Sequence, residues 1–116
     1  IAARWACEAE VSLFYDAGQH REAGLPHDPL KAIVAPRPIG WISTLDAAGR
    51  ANLAPYSFFN MVQTSPAMVM FGSDGLKHTA ANAIATGEFV FNLATRPLFD
   101  AMNASSAALG DGESEF

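Results

Sequence analysis

Cysteine is nearly missing from this sequence, with Cys7 alone among 116 residues. A disulfide framework needs pairs and a thiolate metal cage needs several sulfurs, so both are excluded within this chain. A reducing, cytoplasmic setting is the expectation that follows. Charge is sparse as well, at 16% of residues, and seven Lys and Arg face twelve Asp and Glu for a formal charge of −5. Residues 31–99 hold five scattered bases and three acids, whereas residues 100–116 hold four acids and no base. Affinity for a polyphosphate track grows with each phosphate neutralised, so nucleic acid is not expected as a partner. A mildly basic centre in an acidic protein suits a small phosphorylated ligand.

Catalytic templates are lacking too. The sequence has no G-x-S-x-G, no G-x-x-x-x-G-K, no H-E-x-x-H and no G-x-G-x-x-G. His20, His27 and His78 share no ligand spacing, and a usable site needs three or four converging ligands, so no metal is expected. Asp28, Asp46 and Asp74 sit in turn-like contexts, where aspartate is ordinary turn chemistry. No carboxylate pair suggests acid/base work, and no catalytic residue is assigned. The uncharged stretch from 51 to 73 is long enough to span a bilayer. Asn52, Pro55, Asn60, Gln63 and Pro66 would each be costly in hydrocarbon, so it reads as buried strands and no membrane is expected. Arg4, Glu8 and Glu10 interrupt the apolar start before an export signal could form.

What is abundant is apolar surface. Half the residues are hydrophobic, which excludes disorder and allows one globular domain. A chain of this size buries only about 60–70% of its unfolded surface. The apolar excess is therefore expected to find cover from a partner or from further chain, and the first residue is Ile1 rather than Met. Residues 39–45 (IGWISTL) and 51–59 (ANLAPYSFF) flank a five-residue turn containing Gly49 and read as a β-hairpin. Residues 67–71 (AMVMF) and 88–93 (EFVFNL) read as further strands. Residues 77–86 predict a short helix with Ala80 and Ile84 on one face and a stop at Gly87. A second helix is predicted after Thr95, with Pro97 in its first turn, dissolving into a small-residue acidic tract that reads as linker. Residues 1–14 show weak helical periodicity, and 16–29 read as a polar approach segment. The order β-β-β-α-β-α, without a parallel βαβ rhythm, predicts a mainly β fold: a mostly antiparallel sheet, curled and capped by short helices. Four strands are too few to close a barrel.

Small polar residues are dense on these apolar strands: Ser43, Thr44, Ser57, Asn60, Ser73 and Asn92. Hydroxyls at strand ends suit a phosphate or a heterocycle edge, and Ser and Thr are equally ordinary sheet residues. Lys77 and Thr79 bracket the predicted helix start, where free N–H groups and the positive dipole end favour an anion. A Lys and an N-cap engaged only in helix chemistry is the plainer alternative.

The run from Asp28 to Asp46, with Arg37-Pro38-Ile39-Gly40-Trp41-Ile42-Ser43-Thr44 at its heart, resembles the opening of the flavin reductase-like, FMN-binding split-barrel family. That family includes flavoredoxins and the reductase components of two-component flavin monooxygenases. Three further blocks match in order: residues 52–60, residues 75–79 with Asn82, and residues 87–93. The resemblance covers about residues 14–116 and leaves 1–13 as an unmatched N-terminal extension.

What it implies is a Greek-key split β-barrel, incomplete at this length because the family domain continues further, and usually a homodimer with FMN near the subunit interface. Carried over by position, Ser43 and Thr44 would bind near the flavin phosphate and ribityl chain. Ala54, Pro55, Tyr56, Ser57 and Phe58 would line the isoalloxazine. Lys77 and Thr79 would hold the phosphate, with Arg37 and Trp41 as pocket walls. Where the family commonly has Asp after the Lys, this chain has His78, which favours an anion when protonated. The implied function is hydride transfer from NAD(P)H to flavin, with reduced flavin or electrons passed to a monooxygenase or other acceptor. The alternatives are an electron carrier that holds FMN without oxidising NAD(P)H, and a truncated fragment that binds no flavin.

Overall fold

The computed structural model describes residues 14–107. The weak periodicity at the N-terminus, the proposed extension 1–13 and most of the C-terminal acidic tract lie outside them. The chain forms two compact units that divide between Ala35 and Pro36. In the first, the described residues are mostly turns, ending in a one-turn helix α1 (Leu30–Ile33) whose Leu30 N–H donates to Asp28 Oδ1 at 2.9 Å.

Among its described residues, the second unit carries five strands and two α-helices. Strands β1 (Gly40–Leu45) and β2 (Ala51–Tyr56) pair antiparallel, with Trp41 opposite Pro55 and Thr44 opposite Asn52. Strand β5 (Val90–Asn92) pairs with the other edge of β1, so the sheet order is β2-β1-β5. Strands β3 (Phe59–Thr64) and β4 (Ala67–Phe71) form a separate antiparallel hairpin with a register shift between Met61 and Gln63. Helix α2 (His78–Thr86) lies between β4 and β5, and a 3₁₀ turn (Arg96–Leu98) leads into α3 (Phe99–Ala104). The architecture is mainly β with short helices, and among the described residues the two sheets do not close into a barrel. No helix among the described residues is long and apolar enough to cross a membrane.

The β1–β2 turn shows how local chemistry fixes register. Asp46 Oδ1 accepts the N–H groups of Ala48 and Arg50 at 2.8 and 2.9 Å, and Arg50 Nε donates to Oδ2 at 2.6 Å. Gly49, at φ 79°, supplies the left-handed residue that closes the turn. The backbone and side-chain hydrogen bonds from Arg50 hold the Asp46 carboxyl below its ordinary value. A group depressed in this way stabilises the fold above its ordinary value and loses that contribution as pH falls through the folded one. Asp46→Asn keeps the Oδ1 acceptor and removes the charge. Its melting temperature is expected to fall less steeply on acidification below the ordinary aspartate range than that of the unaltered protein. Matching pH profiles would show that the turn draws nothing from the charge.

The core centres on Ile42, which is fully buried, with Tyr56 and Phe59 beside it and Ala54, Phe71 and Phe89 packed around them. Phe71 meets the rings of Tyr56 and Phe89 at 4.9 and 5.0 Å, and Phe59 stacks on Phe91 at 4.6 Å. The tilted and edge-on contacts of Phe71 are favoured aromatic geometries. Around this core the β3–β4 hairpin exposes Met61, Val62, Met68, Val69 and Met70. The apolar excess noted in the composition surfaces there.

One sequence expectation needs correction. The run 51–59 is not one strand: it breaks at Ser57–Phe58, and β3 then extends to Thr64, giving four strands before α2 instead of three. Helix α2 buries Thr79 and leaves Ile84 76% exposed. The C-terminal end of α2 is as predicted, with Gly87 at φ 78° and its N–H on the Ala83 carbonyl.

Candidate functional site

One cavity of about 540 Å³ lies within the second unit, a volume within the range of small-molecule sites. Its lining comes from four stretches of chain. Strand β2 and the bend after it supply Asn52 and residues 54–58; the connection after β4 supplies Gly72, Asp74 and Leu76. The start of α2 supplies Lys77, His78 and Thr79, and the chain after α3 supplies Ser105, Ser106 and Ala107.

Each stretch is held by identifiable bonds. β2 is an edge strand, so alternate peptide groups point away from β1 and are not spent on that ladder. The Gly72 N–H donates to the Phe58 carbonyl at 2.7 Å, tying the bend to the end of β4. Gly75, at φ 83°, turns the chain toward the helix, and its carbonyl accepts from Ser73 Oγ at 2.8 Å and Lys77 N–H at 3.1 Å. Lys77 occupies the N-cap position of α2 in an extended conformation and makes no side-chain cap bond. The first turn of α2 holds no acid. A helix start at the positive end of the dipole, whose N-cap side chain is a lysine not spent on a cap bond, is suited to an anion. Among the described residues, Asp74 is the only carboxylate in the lining, and it opposes Lys77 in sign.

The fourth wall is anchored at long range. Trp41 Nε1 donates to Ser105 Oγ at 2.9 Å, and Ser105 Oγ donates to the Met102 carbonyl at 2.8 Å. Both Trp41 and Ser105 are buried, so this pair fixes the chain after α3 against β1. Ser106 Oγ donates to the Asn103 carbonyl at 2.6 Å.

Of the residues singled out in the sequence, Ala54, Pro55, Tyr56, Ser57, Phe58, Lys77 and Thr79 line this cavity together. Arg37, Trp41, Ser43 and Thr44 are not in its lining. Arg37 places its guanidinium 5.6 Å from the centre of the Phe58 ring, so it borders a lining residue. Ser43 Oγ accepts from Asn92 Nδ2 at 3.0 Å, and Thr44 Oγ1 accepts from Asn82 Nδ2 at 3.2 Å. Sequence reasoning did not single out Asn52, Gly72, Asp74, Leu76 or residues 105–107 as site residues. The small polar stretch at 105–107 read as linker, and only the three-dimensional pairing with Trp41 makes it a wall.

Comparison with known proteins places this geometry in context. The family described as "Flavin reductase like domain" matches residues 34–116. An uncharacterized protein of Bacillus subtilis, YwrF, is 37% identical over 90 residues, covering 74% of this chain and 44% of its own length. An uncharacterized protein of Aquifex aeolicus is 41% identical over 75 residues, covering 60% of this chain and 38% of its own. The chain thus spans less than half the length of these curated relatives. Among solved structures, nitrilotriacetate monooxygenase component B from Bacillus cereus aligns at a TM-score of 0.74 with 28% identity. That alignment covers 93% of this chain and 54% of the other. The 2-nitrobenzoate 2-nitroreductase NbaA of Pseudomonas fluorescens aligns at 0.65 with 27% identity, over 77% and 46%. The two unclosed sheets are of the split-barrel type.

Proposed function

This chain belongs to the flavin reductase-like domain family, and from that premise we propose that its cavity binds FMN as part of an NAD(P)H-dependent flavin reductase. The reading has a chemical test in the lining itself. A flavin mononucleotide combines a flat, largely apolar ring system with a phosphate dianion. The cavity combines Ala54, Tyr56, Phe58 and Leu76 with an uncapped helix start and Lys77. The two chemistries match, with Asp74 the one carboxylate among the described lining residues.

The observation that carries the proposal is the opening of the α2 N-terminus and the 54–58 bend onto the same cavity. Lys77 and the first-turn N–H groups would hold the phosphate, and Ser57 would offer a hydroxyl to the sugar-alcohol chain. Peptide N–H groups of residues 54–58, other than Pro55, would meet the negative charge that reduction places on the ring. When bound, the flavin supplies the acceptance of a hydride from NAD(P)H and its onward delivery. The surrounding residues orient the reactants and exclude water, and none is asked to act as acid or base.

The name of the Bacillus cereus neighbour, a monooxygenase component, supports a monooxygenase as recipient of the reduced flavin or electrons. The exposed Met- and Val-rich hairpin supports a homodimer, and the single cysteine supports a cytoplasmic setting. NADH and NADPH oxidation, followed with and without added FMN, tests the activity. The proposal expects consumption of one or both nucleotides to rise with FMN. FMN binding without any nucleotide oxidation would instead make the protein an electron carrier.

A further inference from the structure

Helix α2 is attached to the sheet by an unusual seam. Its apolar residue Ile84 points to solvent, and its most buried residue is Thr79, 1% exposed. Thr79 Oγ1 accepts a hydrogen bond of 2.8 Å from Asn52 Nδ2, a β2 carboxamide whose residue is itself buried. One turn later, Asn82 Nδ2 donates to Thr44 Oγ1 on β1 at 3.2 Å. Asn52 and Thr44 are opposite each other in the β1–β2 register. Residues three apart share a helix face, so Thr79 and Asn82 present one polar edge to a polar cross-strand pair. Hydrogen bonds, which are directional, therefore fix the height and rotation of the helix where apolar contacts would allow sliding.

Asn52 has a special place in this seam. It lines the cavity, it lies two residues before the 54–58 stretch on the same strand, and it holds the first turn of α2 through Thr79. One side chain thus joins the cavity's strand wall to the helix start beside Lys77. We propose that Asn52 is a positioning residue for anion recognition: through Thr79 it sets where the α2 N-terminus stands, and so makes the site prefer the phosphorylated flavin over the unphosphorylated one. The proposal rests on the FMN reading above and adds a residue that acts through another rather than on the ligand.

The experiment measures dissociation constants for FMN and for riboflavin in the unaltered protein, Asn52→Leu, Thr79→Val and the double variant. Thr79→Ser serves as the conservative rescue. The unaltered protein is expected to prefer FMN. Asn52→Leu should weaken FMN binding about tenfold more than it weakens riboflavin binding, the scale of a hydrogen bond to a charged group. Thr79→Val should lower it similarly and Thr79→Ser should retain it. The double variant should lose no more than the larger single loss, because both changes break one linkage. Equal losses for the two ligands, or losses of preference that multiply in the double variant, would overturn the proposal. If Asn52→Leu does not fold by circular dichroism, Asn52→Ser, too short to reach Thr79, carries the same expectation. An unaltered protein that binds FMN and riboflavin alike, or neither, would instead sink the underlying phosphate-site reading.

Discussion

Lys77→Ala is expected to weaken FMN binding by about 1.5–3 kcal/mol, roughly tenfold to more than a hundredfold, while riboflavin binding stays nearly unchanged. The magnitude is that of a charge-assisted hydrogen bond to a phosphate, and the selectivity follows because riboflavin lacks that group. The substitution is clean for a structural reason. Lys77 makes no side-chain cap bond to α2, and the extended N-cap backbone that it adopts is open to alanine. The helix should therefore keep its start, and the positive end of its dipole should retain part of the anion affinity. Losses of equal size for FMN and riboflavin would mean that Lys77 supports the cavity generally and does not read the phosphate.

The second large effect is on stability. An alanine at Gly40 would place its Cβ 2.3 Å from Phe59 Cδ2, 2.5 Å from Cγ and 3.0 Å from Cβ. Cγ and Cδ2 can move away only if the ring turns about χ1 out of its buried, stacked position, so relieving the overlap disturbs the core. Phe59 is buried and stacked on Phe91, with Ile42 and Tyr56 in the same cluster. Overpacking of this sort costs about 1–3 kcal/mol, and the upper half of that range fits a clash at the ring's attachment. For a domain of this size that corresponds to a melting temperature lower by roughly 10–20 °C. Combining Gly40→Ala with Phe59→Ala, which removes Cγ and Cδ2, should relieve the overlap, so the double variant is expected to lose less than the two single losses added together. An unchanged melting temperature for Gly40→Ala would show that β1 and β3 can move apart at little cost.

Much of this fold is legible in the sequence because local rules dominate where it is legible. The β1–β2 hairpin follows from two β-rich runs around Asp46 and Gly49, and the turn bonds of Asp46 are the ordinary use of aspartate there. The end of α2 follows from Gly87. Thr95 and Pro97 likewise mark the start of the last helical segment, although its first turn is 3₁₀ and Thr95 makes no side-chain cap bond. The break between β2 and β3 was hidden because no glycine interrupts ANLAPYSFFNMVQT. The bend at Ser57–Phe58 depends instead on the Gly72 N–H reaching the Phe58 carbonyl across the hairpin.

The candidate site divides in the same way. Lys77 and the 54–58 stretch could be singled out, the one by its charge at a helix start and the other by a run that resembles a known family. Residues 105–107 could not, since their role depends on a hydrogen bond between Trp41 and Ser105, 64 positions apart. The inward face of α2 was not legible for a related reason. Hydrophobic periodicity assumes that a helix docks by apolar contact, and this one docks through Thr79 and Asn82.

The most direct test is a titration of the purified protein with FMN, followed by visible absorption and flavin fluorescence. Binding that saturates at stoichiometric flavin, with shifted bands and altered fluorescence, is the predicted result. It would show that the cavity between the 54–58 bend and the start of α2 suffices to hold the nucleotide. An absorption spectrum that remains that of free FMN throughout the titration, with the protein folded, would contradict it.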